Sequence, residues 1–241
     1  MTFASHSTRR GASSPWRTLF WLALSMLATG TAFAHGVAGD DKAFIEGSRG
    51  MQLAPFIYLG AKHMVTGYDH LLFLFGVIFF LYRLRDVGLY VTLFAVGHSV
   101  TLLYGVLSGT HVNPYLVDAI IGLSVVYKAL DNLGAFQRFV GVQPNTKAAV
   151  LIFGFFHGFG LATKLQELTL ARDGMFANLV SFNIGVEMGQ FMALTVILLL
   201  MNLWRLSDSF RRSAILANAA LMTAGFVLIG YQLTGYFSKG A

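Results

Sequence analysis

The chain has 241 residues, 56% of them hydrophobic and 12% charged, with 17 Lys and Arg, 11 Asp and Glu and no cysteine. A soluble domain carries about 25% charged residues, so half that share, with apolar residues gathered in long runs, excludes an ordinary soluble globule and indicates an all-α polytopic membrane bundle. The missing cysteine excludes disulfides, c-type haem attachment, thiolate-ligated zinc and iron–sulfur clusters, so any bound metal must be held by nitrogen and oxygen.

Residues 1–34 read as a cleaved secretory signal. A basic region ends at Arg17, the apolar run Leu19–Ala28 follows, and Ala32-Phe33-Ala34 fits the small-x-small cleavage pattern. Removing this segment takes away three arginines and no acid, leaving 14 basic and 11 acidic residues. The residual excess lies in short loops between apolar spans, where it orients helices and does not indicate nucleic-acid binding. Cleavage after Ala34 makes His35 the mature N-terminus, whose amine and imidazole make it a secondary candidate ligand. Residues 35–52 read as a flexible extracytoplasmic leader.

Residues 53–241 read as a six-helix transmembrane domain. The apolar segments are Leu53–Tyr82, Val87–Leu107, Pro114–Leu130, Ala148–Leu165, Met175–Trp204 and Ala214–Phe237. Crossing a ~30 Å hydrocarbon core takes about 20 helical residues, so the first and fifth segments are overlong and must tilt, break or begin on the membrane surface. Gly60 and Gly67 are the candidate break points in the first, and Lys62 is expected to snorkel to the outer headgroups. Asn113-Pro114 reads as a capped helix start, and Asn132-Leu-Gly134 as a helix end.

Loop charge sets the orientation. Arg83 and Arg85, then Lys128, Arg138 and Lys147, then Arg205, Arg211 and Arg212 lie in alternate connections, whereas Ser108–Asn113 has no Lys or Arg. Basic loops go to the cytoplasm, so both mature termini lie outside, in the inner membrane of a bacterium.

Four histidines and two acids sit inside these spans. An ionisable group within the bilayer costs free energy unless partnered, and marks a functional site by default. His63, Gly67 and His70 are spaced i, i+4, i+7 on one helix face, with Asp69 about 100° round from His70. A straight helix puts His63 about 10 Å further out, as a first docking point. Asn183, Glu187 and Gln190 repeat the i, i+4, i+7 spacing in the fifth segment. His98 and His157 sit mid-span in the second and fourth. His70, His98, His157 and Glu187 thus reach one depth from four helices. A lone membrane histidine is usually a structural hydrogen-bonder between helices. Four polar residues at one level favour a metal site made of His63, Asp69, His70, His98, His157 and Glu187, supported by Asn183, Gln190 and Gly67. Asp118 reads as a first-turn acid, and the phenylalanines as packing or lipid-facing bulk.

Together the strings HMVTGYDHLLFLFG, FAVGHSVTL, IFGFFHGFGLA and FNIGVEMGQ resemble the HupE/UreJ family of hydrogenase- and urease-associated membrane proteins, over about Pro55–Tyr236. The family's His-Pro-x-x-Gly-x-Asp-His signature falls on His63, Gly67, Asp69 and His70, with Met64 in place of proline. A second family pattern, Phe-His-Gly-x-Ala-His-Gly-x-Glu, is met only at Phe156, His157 and Gly158, as in a divergent branch. The resemblance implies nickel transport or a nickel-linked accessory role, with metalloenzyme maturation proteins as partners. The donor set itself suits Ni²⁺, Co²⁺, Zn²⁺ and Cu²⁺ alike. The expectation is therefore a non-enzymatic metal permease; the alternative is a non-transporting accessory protein that binds metal or haem. No His-Glu-x-x-His, Gly-x-Ser-x-Gly or nucleotide-binding string points to an enzyme.

Overall fold

The computed structural model describes residues 39–167 and 173–239; the predicted signal segment and His35 lie outside the described residues. Among these there are helices and no strands: α1 Gly39–Gly47, α2 Leu53–Thr66, α3 Tyr68–Ile78, α4 Leu84–Ser108, α5 Pro114–Asn132, α6 Ala135–Phe139, α7 Thr146–Gln166, α8 Met175–Arg205 and α9 Asp208–Lys239. Four of them, α4, α7, α8 and α9, are long and apolar enough to cross a membrane. The 19-residue α5 carries Asp118, Lys128 and Asp131, which lower its apolar character.

The first predicted span is not one helix. The chain leaves helical geometry at Gly67 (φ −73°, ψ 98°), which ends α2 and begins α3. The Gly67 N–H still donates to the His63 carbonyl, and Asp69 occupies the first turn of α3, where a carboxylate is favoured by the helix dipole. The leader also differs from expectation. Residues 39–47 are helical, Ile45 is buried, and Asp41 forms an ion pair of 2.7 Å with Lys62. Lys62 therefore has a carboxylate partner in addition to any headgroup it reaches.

The caps fall where the sequence puts them. Asn113 Oδ1 accepts from the Tyr115 and Leu116 N–H groups at 3.0 and 3.4 Å, with Pro114 opening α5. Gly134 adopts φ +68° after the last residues of α5, a conformation that favours glycine. Asn145 caps α7 in the same way as Asn113 caps α5.

Three helix pairs dominate the packing: α2 with α8, α4 with α7, and α5 with α9. In the first, Ile57 lies against Gly185 and Ala61 against Gly189, so the two helices run in the same direction. In the second, Phe94 lies against Gly154 and Gly105 against Ala162, again parallel. In the third, Tyr115 meets Gly235 while Asn132 hydrogen-bonds Asn218, so α5 and α9 are antiparallel. One end of the bundle is closed by polar groups from several elements. Arg205 donates to the Ile78 and Phe79 carbonyls at 2.6 and 2.9 Å, capping α3, and Lys128 pairs with Asp131 at 2.6 Å. Arg83, Arg85, Arg138, Lys147, Arg211 and Arg212, in or beside the connections from α3 to α4, α5 to α7 and α8 to α9, all belong to that end.

Candidate metal centre

The break at Gly67 builds the site. It turns the start of α3 inward, so that His70 meets three other imidazoles. Ring centroids lie 5.2 Å from His63, 6.2 Å from His98 and 4.9 Å from His157. The straight-helix expectation of about 10 Å between His63 and His70 is therefore corrected: the bend brings the two rings within 5.2 Å. Two overlapping groups have candidate ligand atoms within 4.8 Å of one another, namely His63, His70 and His98, and Asp69, His70 and His157. His70 belongs to both. Nitrogen ligands about 2 Å from a metal lie roughly 3–4 Å apart, so a contraction of about an ångström brings either group into coordination range.

Burial and hydrogen bonding fix how the rings face. Asp69, His70, His98 and His157 are all buried. His70 Nδ1 lies 3.2 Å from Asp69 Oδ1, and His157 Nδ1 donates to the Phe153 carbonyl at 2.8 Å. Each contact orients the ring and directs its Nε2 away from that partner, the usual outer support of a metal-ligating histidine. The Nε2 atoms of His63 and His70 are buried without hydrogen-bond partners. Such atoms are rare in folded proteins, because an unpaired buried polar atom costs about 1–3 kcal/mol.

Gly67 belongs to the site through its missing side chain. A Cβ there would fall 2.6 Å from His70 Nδ1 and 3.2 Å from Asp69 Oδ1. Gly67→Ala is expected to push His70 off Asp69 and weaken Ni²⁺ binding by about tenfold or more, read by isothermal titration. The sequence-level role of Gly67 thus gains a mechanism, whereas Gly60, the other candidate break point, stays helical and serves close packing.

The α8 residues divide. Asn183 and Gln190 are buried, and the side-chain N and O atoms of Gln190 lack hydrogen-bond partners. Asn183 neighbours His98. Neither amide is in the two ligand groups. Glu187 is exposed and far from being the closing carboxylate expected of it. Helix geometry explains the correction. The buried stripe of α8 runs through Leu179, Asn183, Val186 and Gln190, and Glu187 projects about 70° to one side of its centre. Among the two candidate ligand groups, the acid is Asp69. Glu187→Gln is therefore expected to leave Ni²⁺ affinity unchanged within about twofold, measured beside the unaltered chain.

Two features carry no signal in the sequence. Phe94 packs against His70, His98 and His157, with Phe73 on His157 and Phe182 on His63, forming an aromatic wall around the imidazoles. Phenylalanine is common in any apolar span, so only spatial proximity singles these out. Asp118 is more than a first-turn acid: its Oδ2 accepts from Lys164 Nζ at 2.9 Å, joining α5 to the end of α7.

The residues that make this centre are also those of the motifs that suggest a relationship. A family model described as HupE / UreJ protein matches residues 39–240, nearly the whole chain. The chain belongs to the HupE/UreJ family. Membership implies a membrane accessory or permease-type role in nickel or cobalt handling and is not that of an enzyme family. Neither the comparison with curated proteins nor that with solved structures gives a match.

Proposed function

We propose that this HupE/UreJ protein is an integral membrane permease for a divalent transition metal, Ni²⁺ before Co²⁺, with six spans counted as α2–α3, α4, α5, α7, α8 and α9. A secretory signal at residues 1–34, the basic end of the bundle in the cytoplasm and both mature termini outside complete the topology. The alternating helix directions and the gathering of basic loops at one end support this arrangement. The cation is the cargo. It docks at His63 and is held by His63, His70 and His98, or by Asp69, His70 and His157, with Asn183 and Gln190 in support.

One observation carries the reading. Imidazole nitrogens of His63, His70 and His98, drawn from two separate spans, lie within ligand range of one another, and the buried Nε2 atoms of His63 and His70 have no hydrogen-bond partner. A cation there replaces the missing hydrogen bonds. Imidazole suits Ni²⁺ and Co²⁺, and the single carboxylate gives a neutral-to-anionic donor set. The aromatic wall keeps water out and strengthens the metal–ligand attraction. In the absence of a nucleotide motif, the driving force is the membrane potential, the metal gradient or proton exchange.

The test is metal analysis of the purified full-length protein, followed by Ni²⁺ uptake into proteoliposomes. Stoichiometric Ni²⁺ and protein-dependent uptake are expected. A Soret band, or no bound cation, overturns the reading. Binding also carries a pH signature. Only neutral imidazole ligates, so protons compete with the metal and occupancy falls as pH is lowered. Affinity is expected to fall as pH is lowered, in an equilibrium titration, because protonated imidazole cannot ligate. A flat profile would indicate carboxylate ligation alone.

A further inference from the structure

The three dominant helix pairs have a property that none of them has alone. Exchanging the first three spans for the last three turns the α2·α8 pair into the α7·α4 pair, and turns the α5·α9 pair into itself. The exchange holds at individual residues. A Cβ on Gly60 would strike the Phe182 carbonyl oxygen, and one on Gly154 would strike that of Phe94. A Cβ on Gly185 would strike the Ile57 carbonyl oxygen, and one on Gly97 that of Leu151. Gly60 and Ile57 become Gly154 and Leu151 by adding 94; Phe94 and Gly97 become Phe182 and Gly185 by adding 88. The antiparallel pair obeys the same rule with a shift of 103. Gly122 abuts the Ile229 N–H and Gly225 the Val126 N–H, while Tyr115–Gly235 maps onto Asn218–Asn132. The matched contacts of the two parallel pairs carry the relation, since a chance arrangement has no reason to reproduce them; the α5·α9 contacts follow from antiparallel packing alone and serve only to locate the axis.

We infer that the protein is an inverted repeat, residues 53–132 and 146–239, related by a two-fold axis in the membrane plane through the Gly122–Gly225 crossing, and that the repeat divides the metal centre into an outer and an inner half-site sharing His70. Each repeat has three spans, an odd number, so the second copy is necessarily upside down relative to the first. The relation places His63 and His157 at equivalent positions. Each lies three residues after its close-packing glycine, and each has its ring against the equivalent phenylalanine, Phe182 or Phe94. His63 is ten residues from the start of α2 and His157 eleven from the start of α7, and those two helix starts lie at opposite ends of the bundle. His70 stands between the two rings, at 5.2 and 4.9 Å.

The first repeat alone supplies the central group. Positions equivalent to Asp69 and His70 are Thr163 and Lys164, in an unbroken α7. The chain bend at Gly67 thus inserts one imidazole–carboxylate pair between two equivalent histidines. A cation held by His63, His70 and His98 needs only to exchange ligands around His70 to be held by Asp69, His70 and His157. Entry is from the His63 side and exit from the His157 side, or the reverse under a reversed gradient. This rests on the metal-binding reading above, and refines it from one site to two coupled half-sites.

The test uses the full-length chain in membranes of known sidedness, with Ni²⁺ as probe. Spheroplasts expose the outer face and inverted vesicles the inner one. His63→Gln is expected to weaken binding from the outer face by about tenfold and from the inner face by less than about twofold, and His157→Gln to do the reverse. His70→Gln is expected to weaken both. Equal losses from both faces with the first two variants, alongside a loss with His70→Gln, overturn the half-sites and leave the metal reading standing. No effect of His70→Gln overturns the metal reading itself. The repeat is checked without metal, since the chain has no cysteine. The pairs Tyr115→Cys with Gly235→Cys and Asn132→Cys with Asn218→Cys are each expected to be joined by a short bismaleimide, at opposite faces. Failure of either pair to cross-link overturns the two-fold arrangement.

Discussion

Exchanging His70 for alanine is expected to lower Ni²⁺ affinity by at least about 100-fold, the largest effect of any single substitution at the centre. The reason is its shared position. Removing His98 or His157 takes one ligand from one group, whereas removing His70 takes one from each. Loss of the ring also frees Asp69 from its 3.2 Å contact with Nδ1. Thermal unfolding in detergent gives the cleanest readout, because it separates affinity from folding. At a free metal concentration of about 100 times the wild-type dissociation constant, binding stabilises the folded state by about 2.7 kcal/mol. A variant with about 100-fold weaker binding gains only about 0.4 kcal/mol under the same conditions. Without metal the variant is expected to unfold below wild type, since the deleted ring leaves a cavity and takes a contact from buried Asp69, so the comparison is between the metal-induced shifts. A metal-induced shift equal to wild type would remove His70 from the site.

Much of this architecture is legible in the residues alone. Runs of apolar residues longer than about 17 specify the helices, because an unsatisfied backbone in lipid leaves little alternative to helix. Asn113-Pro114 and Gly134 mark ends through local chemistry alone. His63, Asp69, His70, His98 and His157 stand out because imidazole and carboxylate are costly in an apolar span. Glu187 stands out for the same reason and misleads, because burial depends on which side of α8 faces the bundle. Its neighbour Asn183 is only about 40° away on the helical wheel, and that angle decides between core and surface. The bend at Gly67 is legible as an option; that it is the bend used follows from the tight approach of His70 and Asp69 to a missing Cβ. Pairing of α2 with α8 and of α4 with α7 is not legible, since it joins spans far apart in the chain through contacts that hydropathy does not encode.

Gly185→Ala is expected to be strongly damaging for folding. The Gly154 and Gly158 pair declares itself in sequence as two small residues four apart; Gly185 and Gly189 do the same on α8, where they face α2. A Cβ at 185 would overlap the Ile57 carbonyl oxygen and lie 2.7 Å from its carbon. Both obstacles are backbone, so no rotamer change can relieve them. The helices must separate along their whole contact, and the loss is about 3 kcal/mol, at the upper end for overpacking. For a chain of this size that lowers the midpoint by roughly 6–12 °C. Separation also moves His63 on α2 away from its contact with Phe182 on α8, so metal affinity is expected to fall with stability. Gly230→Ala is the matched comparison. It sits mid-helix in α9 with nothing within 4 Å of its Cβ position, so the better helix propensity of alanine leaves stability unchanged or raised by up to about 1 kcal/mol. Equal midpoints for the two variants would mean that α2 and α8 are not in backbone contact in the membrane, and with that contact would go the convergence of His63 on His70.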